Sequence, residues 1–125
     1  MRKIAIVTGL LGVAGVALGA AGAHAWRDQL AASGLTSAWE TAVLYHLLHC
    51  VALLALSNPF FHGRARASIA TCWIAGVLLF SGSLYALALD GPRWLGPVTP
   101  LGGVALILGW GLVVLHGWRR REGTG

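Results

Sequence analysis

Charged residues are scarce in this sequence. Four of its 125 residues are acidic and nine are Lys or Arg, so charged side chains make up 10% of the chain, whereas they make up about a quarter of an average soluble domain. Apolar residues make up 57%, and the mean hydropathy is +0.74. This composition excludes an ordinary soluble domain and predicts an integral membrane protein.

Cysteine is scarce as well, and the motifs of common catalytic and cofactor sites are missing. Cys50 and Cys72 are the two cysteines. Both fall in apolar stretches, where thiols act as small apolar groups, so we assign no disulfide. The sequence has no phosphate-binding loop, nucleophile elbow, paired catalytic carboxylates or metal-spaced cysteine set. We therefore assign no catalytic residue, no metal and no cofactor, and we lean towards a protein that is not an enzyme.

The sequence does contain four long apolar stretches. They cover residues 4–26, 37–57, 67–89 and 97–118, and each approaches or exceeds the ~20 residues that a helix needs to cross ~30 Å of hydrocarbon. The connections are short, which is typical of adjacent antiparallel helices. We predict an all-α fold in which residues 1–125 form a single membrane domain, an integral membrane four-helix up-and-down bundle.

The basic residues predict the orientation of this bundle. Seven of the nine lie before the first stretch, between the second and third, or after the fourth, and two lie in the other connections. Short flanks rich in Lys and Arg stay in the cytoplasm. We therefore expect both termini in the cytoplasm of a multi-pass protein of the bacterial inner (plasma) membrane. Because the basic residues flank the spans, membrane lipids are the expected partner, and nucleic acid is not.

The first apolar stretch admits two interpretations. Arg2 and Lys3, an apolar run and then Ala23-His24-Ala25 resemble a secretory signal with its cleavage site. The run is longer than the core of such a signal, however, and it carries small residues at helical spacing, such as Gly15, Gly19 and Ala23. Such spacing lets a second helix approach closely. We favour a retained helix, with a cleaved signal as the alternative.

Two segments carry signals for helix ends. Ser37 to Glu40 fits a capping box at the start of the second span, in which the serine and the glutamate bond to each other's backbone amides. Asp90-Gly91-Pro92 fits the end of the third span, with a glycine past the helix and a proline that cannot continue it.

Polar residues at membrane depth are the candidate site. His46 and His49 lie three residues apart near the middle of the second span, so they share one face of the helix. Ionisable residues in a span usually face the interior of the bundle. The two imidazoles could hydrogen-bond to Ser81, Ser83 or Tyr85 of the third span, handle a proton or substrate, or bind a metal or haem. We favour structural hydrogen bonding. We also predict a contact between His24 and Glu40 because they lie at matching depth.

Four ordered motifs resemble a known family. They are Gly22-Ala23-His24, residues 39–49, residues 80–85 and Thr99 to Gly103, and together they are similar to the YgdD-like small membrane proteins of domain-of-unknown-function family 423. The resemblance covers nearly the full chain. It implies a four-helix protein of the bacterial inner membrane, with relatives in mitochondria and no established activity. By this interpretation the family signature faces inward as a buried polar cluster: His24, Glu40, Tyr45, His46, His49, Ser81, Ser83, Tyr85 and Thr99.

Two hypotheses about function follow. In the first, the protein is structural or accessory, the polar residues fix the register of the helices, and faces rich in small residues bind a second copy or a larger membrane complex. In the second, it is a small transporter, a lipid-handling protein or a membrane enzyme that uses His46 and His49. A bundle of this size leaves little room for an aqueous path, which favours the first hypothesis.

Overall fold

A computed structural model describes residues 1–122 of the chain and shows five helices. The four long helices are each long and apolar enough to cross a membrane, and they form an up-and-down bundle, as predicted. A single 3₁₀ turn at Arg93–Leu95 precedes the last helix. The helices are α1 (Arg2–Ala23), α2 (Arg27–Ser33), α3 (Thr36–Ala55), α4 (Gly63–Ala88) and α5 (Val98–Glu122).

Packing between the long helices follows their order in the chain. Helix α1 packs along α3, α3 along α4, and α4 along α5. No comparable packing joins α1 to α5 within residues 1–122. The end of the bundle where α1 begins and α5 ends is called the terminal end, and the opposite end, where α2 lies, is called the α2 end.

Helix α2 lies in a connection for which the sequence predicted no helix. It has seven residues, which is too short to be stable by itself. Leu30 on α2 is 1% exposed and packs in an apolar cluster with Trp39, Ala42, Tyr85 and Ala88. Burial of this one leucine against the bundle therefore accounts for a helix that local propensity does not predict.

The predicted capping box at the start of α3 is wrong. The helix begins at Thr36, its N-cap is Leu35, and no side chain caps it. The backbone amide of Trp39 already donates to the carbonyl oxygen of Leu35 at 3.0 Å. Ser37 therefore lies inside the first turn, where its backbone is helical and cannot act as the N-cap that a capping box requires.

The end of α4 follows the predicted signal with one difference. The amide of Gly91 donates to the carbonyl oxygen of Ala86 at 2.7 Å, which closes the helix in the manner of a Schellman motif. The residue in the left-handed region is Asp90, at φ 60°, and not the glycine. Gly91 is needed for space, because a Cβ there would lie 2.8 Å from the carbonyl carbon of Ala86.

Glycines bring α4 and α5 into close contact. A Cβ on Gly102 of α5 would lie 2.7 Å from the Cα of Phe80 and 2.8 Å from the carbonyl carbon of Leu79 on α4. A Cβ on Gly76 of α4 would lie 3.0 Å from the backbone nitrogen of Leu106 on α5. The two backbones therefore come closest at Gly102, where backbone atoms leave no space for a side chain, as expected for close packing of membrane helices.

Candidate functional site: a polar cluster between the helices

Six of the nine predicted site residues lie on α3, α4 and the start of α5, and hydrogen bonds join two pairs of them, His46 with Tyr85 and Ser83 with Thr99. Five of them are buried, with His49 at 2% and Ser81 at 0% exposure, and Thr99 is half-buried. We call this group the polar cluster: His46, His49, Ser81, Ser83, Tyr85 and Thr99.

His46 links α3 to α4. Its Nδ1 lies 3.0 Å from the hydroxyl of Tyr85, and the two groups share a buried hydrogen bond. Its Nε2 is also buried, and it has no hydrogen-bond partner within residues 1–122. The ring also lies close to Gly15, where a Cβ would be 3.4 Å from its Cδ2. This imidazole therefore lies between three helices with one nitrogen paired.

His49 is paired at both nitrogens. Its Nδ1 lies 2.7 Å from the carbonyl oxygen of Tyr45, which can only accept, so Nδ1 carries the proton. Its Nε2 accepts the indole N–H of Trp110 on α5 at 3.2 Å. Both assignments describe one neutral tautomer. In this arrangement His49 has no free lone pair for a metal or a proton.

Two serines complete the contacts between helices. Ser81 on α4 donates to the carbonyl oxygen of Ala42 on α3 at 2.7 Å. The hydroxyl oxygens of Ser83 on α4 and Thr99 on α5 lie 2.6 Å apart, and Ser83 also donates to the carbonyl oxygen of Phe80 at 3.0 Å. Hydrogen bonds therefore join α4 to both of its neighbours. Of the three predicted partners for the histidines, Tyr85 forms such a bond, whereas the two serines bond to other groups.

Three predicted members lie outside the cluster. His24, Glu40 and Tyr45 are exposed, so the expectation that they face the interior is wrong. The buried positions of α3 recur at helical spacing through Trp39 and His46, and neither Glu40 nor Tyr45 lies on that stripe. Tyr45 packs its ring on Phe80 at the surface of the bundle, with the ring centres 4.8 Å apart.

The predicted contact between His24 and Glu40 is not formed directly. Within residues 1–122, no hydrogen bond or ion pair joins the two side chains. Helix α1 ends at Ala23, and the chain then turns into α2. Matching depth in the membrane was therefore not enough to bring the two groups together.

Tryptophan donors are the part of the site that sequence reasoning missed. Besides the bond from Trp110 to His49, the indole N–H of Trp39 donates to the carbonyl oxygen of Leu18 on α1 at 3.0 Å. Trp73 is buried beside Trp110, with ring centres 4.7 Å apart, but its indole N–H has no hydrogen-bond partner within residues 1–122. A buried indole N–H usually finds an acceptor, and this tendency was the signal that could have identified the bonds of Trp39 and Trp110.

A long groove lies on the outer surface between α1 and α3. Its part at the α2 end has a volume of about 730 Å³ and its part at the terminal end about 460 Å³. Leu47 and Val51 line both parts, so we treat them as one feature, the α1/α3 groove. Neither part is lined by His46 or His49.

Metal-binding groups do not converge in the described part of the chain. Within residues 1–122 no three His, Cys, Asp or Glu side chains are placed so that they could hold a metal ion. Cys50 is buried and Cys72 half-buried, and both are free thiols. The polar cluster can therefore provide interhelical hydrogen bonds and one unpaired imidazole nitrogen.

Comparison with known proteins places this architecture in a family. The family described as "Protein of unknown function (DUF423)" matches residues 18–103, a range that includes the whole polar cluster. The UPF0382 membrane protein SSP2132 of Staphylococcus saprophyticus is 40% identical over 119 residues, which cover 90% of this chain and 95% of that protein. No solved structure matches the chain.

Two further relatives show how widely the family is spread. The UPF0382 membrane protein YwdK of Bacillus subtilis is 37% identical over 117 residues, covering 90% of this chain and 94% of YwdK. The UPF0382 membrane protein C1782.12c of Schizosaccharomyces pombe is 35% identical over 118 residues, covering 90% and 97%. The four apolar helices and these matches agree, and the chain belongs to the DUF423 family of UPF0382 membrane proteins.

Proposed function

We propose that this protein is a structural or accessory component of the bacterial inner membrane. In this proposal the polar cluster fixes the register of α3, α4 and α5, and the exposed faces bind lipids or other membrane proteins. The observation that carries the proposal is His49, which is buried and paired at both nitrogens. The bond to Trp110 joins α3 to α5, the bond to Tyr45 lies within α3, and an imidazole paired in this way offers no free site for chemistry.

Membrane energetics support a structural role for these bonds. Lipid gives helices no hydrophobic contrast, so packing and interhelical hydrogen bonds hold them together. Each such bond contributes on average about 0.6 kcal/mol and at most about 1.7 kcal/mol. The bonds from Ser81 to α3 and from Ser83 to α5 fix α4 relative to both neighbours, because a shift along the helix axis would break both.

A second candidate function is proton handling at His46. The observation that favours it is the buried Nε2 with no hydrogen-bond partner. A buried imidazole with one open nitrogen can accept a proton if a path reaches it. The two candidates differ in what His46 is needed for, namely the stability of the bundle or the movement of protons across it.

A double-mutant cycle with a transport assay tests these candidates. The variants are His46→Ala, Tyr85→Phe and the double variant, with Tyr45→Phe as the matched control because the Tyr45 side chain is exposed. In a structural role, His46→Ala lowers the free energy of unfolding in lipid or detergent by about 0.6 to 2 kcal/mol, and Tyr85→Phe by about 0.6 kcal/mol. The effects are less than additive, since both variants remove one bond, and Tyr45→Phe changes stability by less than about 0.5 kcal/mol.

The transport measurement decides between the candidates. We expect liposomes that contain the protein to show the same proton permeability for the parent and for His46→Ala. A proton flux that disappears in His46→Ala, in a variant whose unfolding remains cooperative, would reject the structural proposal and establish the second candidate.

In the proposed orientation both termini lie in the cytoplasm. The distribution of basic residues supports this orientation, because seven lie at the terminal end and two at the α2 end. The test uses single cysteines in a background without Cys50 and Cys72. Ser33→Cys lies at the α2 end and Ser57→Cys at the terminal end, and both positions are exposed. We expect a membrane-impermeant maleimide to label Ser33→Cys in intact cells and Ser57→Cys only after permeabilisation. The reverse pattern would invert the orientation.

A further inference from the structure

The part of the α1/α3 groove at the α2 end has the size of a ligand site. Its volume of about 730 Å³ lies within the ~300–1,000 Å³ range of ligand pockets. Glycines of α1 line one wall, and apolar side chains of α3 line the other, including Val43, Leu44 and Leu48. Leu44 and Leu48 are 61% and 50% exposed, so the groove opens sideways, where lipid surrounds the bundle.

Among the described residues, Glu40 is the one charged residue that lines this groove. Glu40 is four residues past the first residue of α3, so it lies about 6 Å along the helix axis from the helix start. Within residues 1–122 its carboxylate takes part in no hydrogen bond or ion pair. A carboxylate at the edge of the hydrocarbon is costly unless a cation or hydrogen-bond donors approach it.

We infer that this groove binds a phospholipid with a primary ammonium headgroup, phosphatidylethanolamine. The ammonium donates hydrogen bonds to the carboxylate of Glu40, and one acyl chain lies along the apolar wall towards Leu47 and Val51. The inference rests on the membrane location in the proposed function but not on the proposed orientation, because either orientation presents the groove to one leaflet.

Charge and shape favour this occupant. In the part of the chain that the structure describes, the lining contains one acidic residue and no Lys or Arg, so it favours a zwitterionic headgroup that presents an ammonium over an anionic headgroup that has no cationic group. The groove continues past Leu47 into its second part, which provides an apolar path longer than the 730 Å³ site alone. Phosphatidylethanolamine fits both features of the groove. Its ammonium group can be held at one end, and one of its acyl chains can lie along the apolar path behind that end.

Native mass spectrometry of the purified full chain tests the charge contact. Phosphatidylethanolamine and phosphatidylglycerol with identical acyl chains are added in equal amounts, and the ratio of retained lipids is measured. We expect phosphatidylethanolamine to be retained in excess, and Glu40→Gln to reduce that excess about tenfold, the size expected for one charged hydrogen bond. Asp28→Asn is the matched control, since Asp28 is exposed near the same end but does not line the groove, and it should leave the ratio unchanged.

A second pair of variants tests the groove itself. Leu48→Trp places an indole in the groove, whereas Leu108→Trp makes the same change at a lipid-facing position of α5 that is 57% exposed. We expect Leu48→Trp to lose the retained phosphatidylethanolamine and Leu108→Trp to keep it. Thermal unfolding of both variants shows whether they are folded.

Three outcomes would overturn the inference. One is equal retention of the two lipids by the parent protein, and another is equal loss in Asp28→Asn and Glu40→Gln. The third is a parent protein that is dimeric in detergent and becomes monomeric in Leu48→Trp, because the groove would then hold a second copy of the chain. If lipid retention fails while the His46 and Tyr85 cycle gives the expected energies, the lipid site alone is rejected.

Discussion

The pair α4/α5 and the pair α1/α3 both have glycines at their contact, but different atoms lie opposite those glycines. Opposite Gly102 on α5 are backbone atoms of Leu79 and Phe80. Opposite Gly15 on α1 are the side-chain carbons of Leu47, with the Cδ2 atom 2.6 Å from where a Cβ would lie. Gly102 therefore permits direct contact of two backbones, whereas Gly15 makes room for a side chain.

This difference separates a closed part of the bundle from an open one. Between the two outer helices, 17% of the apolar stretch that contains α5 is buried, against 11% of that in α1. The contact of α1 with α3 leaves a surface groove whose two parts measure about 730 and 460 Å³. A glycine pattern in the sequence thus indicates that a neighbouring helix is present, but it does not distinguish a sealed interface from a grooved one.

The largest effect on stability should come from adding one methyl group at the contact of the closed pair, α4/α5. Gly102→Ala places a Cβ within 3 Å of the backbone of Leu79 and Phe80, and these atoms cannot rotate away. The helices must move apart, and overpacking of this kind costs about 1–3 kcal/mol. The free energy of unfolding of the purified protein in lipid or detergent measures the loss.

Gly111→Ala is the matched control for this change on the same helix. A Cβ at Gly111 meets no atom within 4 Å, and alanine favours the helix over glycine by about 0.5–1 kcal/mol. We therefore expect unchanged or slightly higher stability. If Gly102→Ala and Gly111→Ala behave alike, the two backbones of α4 and α5 are not in the close contact described.

Most of the fold could be predicted from the sequence because membrane spans depend on length and apolar composition. The four long helices of the structure correspond to the four predicted stretches. Helix α2 was not predicted, since it depends on tertiary contacts. The left-handed conformation of Asp90 was not predicted either, although the bond that closes α4 there is local. Leu30 stabilises α2 by packing against side chains distant in sequence, and no local pattern contains that information.

The part of the candidate site that depends on depth along the helices was predictable. His46 and Tyr85 were placed at similar depth, and the structure joins them at 3.0 Å. Glu40 and Tyr45 have suitable depth but the wrong direction around α3, so they face outward. Depth along a helix can be read from residue number, whereas direction around it depends on which face meets the neighbouring helices, and this is set by packing.

The smallest effect on stability should come from adding one methyl group at the contact of the open pair, α1/α3. Gly15→Ala also creates a close contact, with the Cβ 2.6 Å from the Cδ2 of Leu47. Leu47 lines both parts of the α1/α3 groove, so its side chain has space to rotate outward. The gain in helix propensity, about 0.5–1 kcal/mol, offsets the remaining strain, and we expect stability to change by less than about 0.5 kcal/mol.

This last variant also connects packing to binding. If the Leu47 side chain moves into the α1/α3 groove in the Gly15→Ala variant, the groove narrows. Retention of phosphatidylethanolamine should then fall, while the free energy of unfolding stays near that of the parent. Native mass spectrometry and an unfolding titration on the same sample measure the two quantities. A loss of stability as large as that of Gly102→Ala would mean that α1 and α3 are held as rigidly as α4 and α5, and the distinction between a closed and an open pair would not hold.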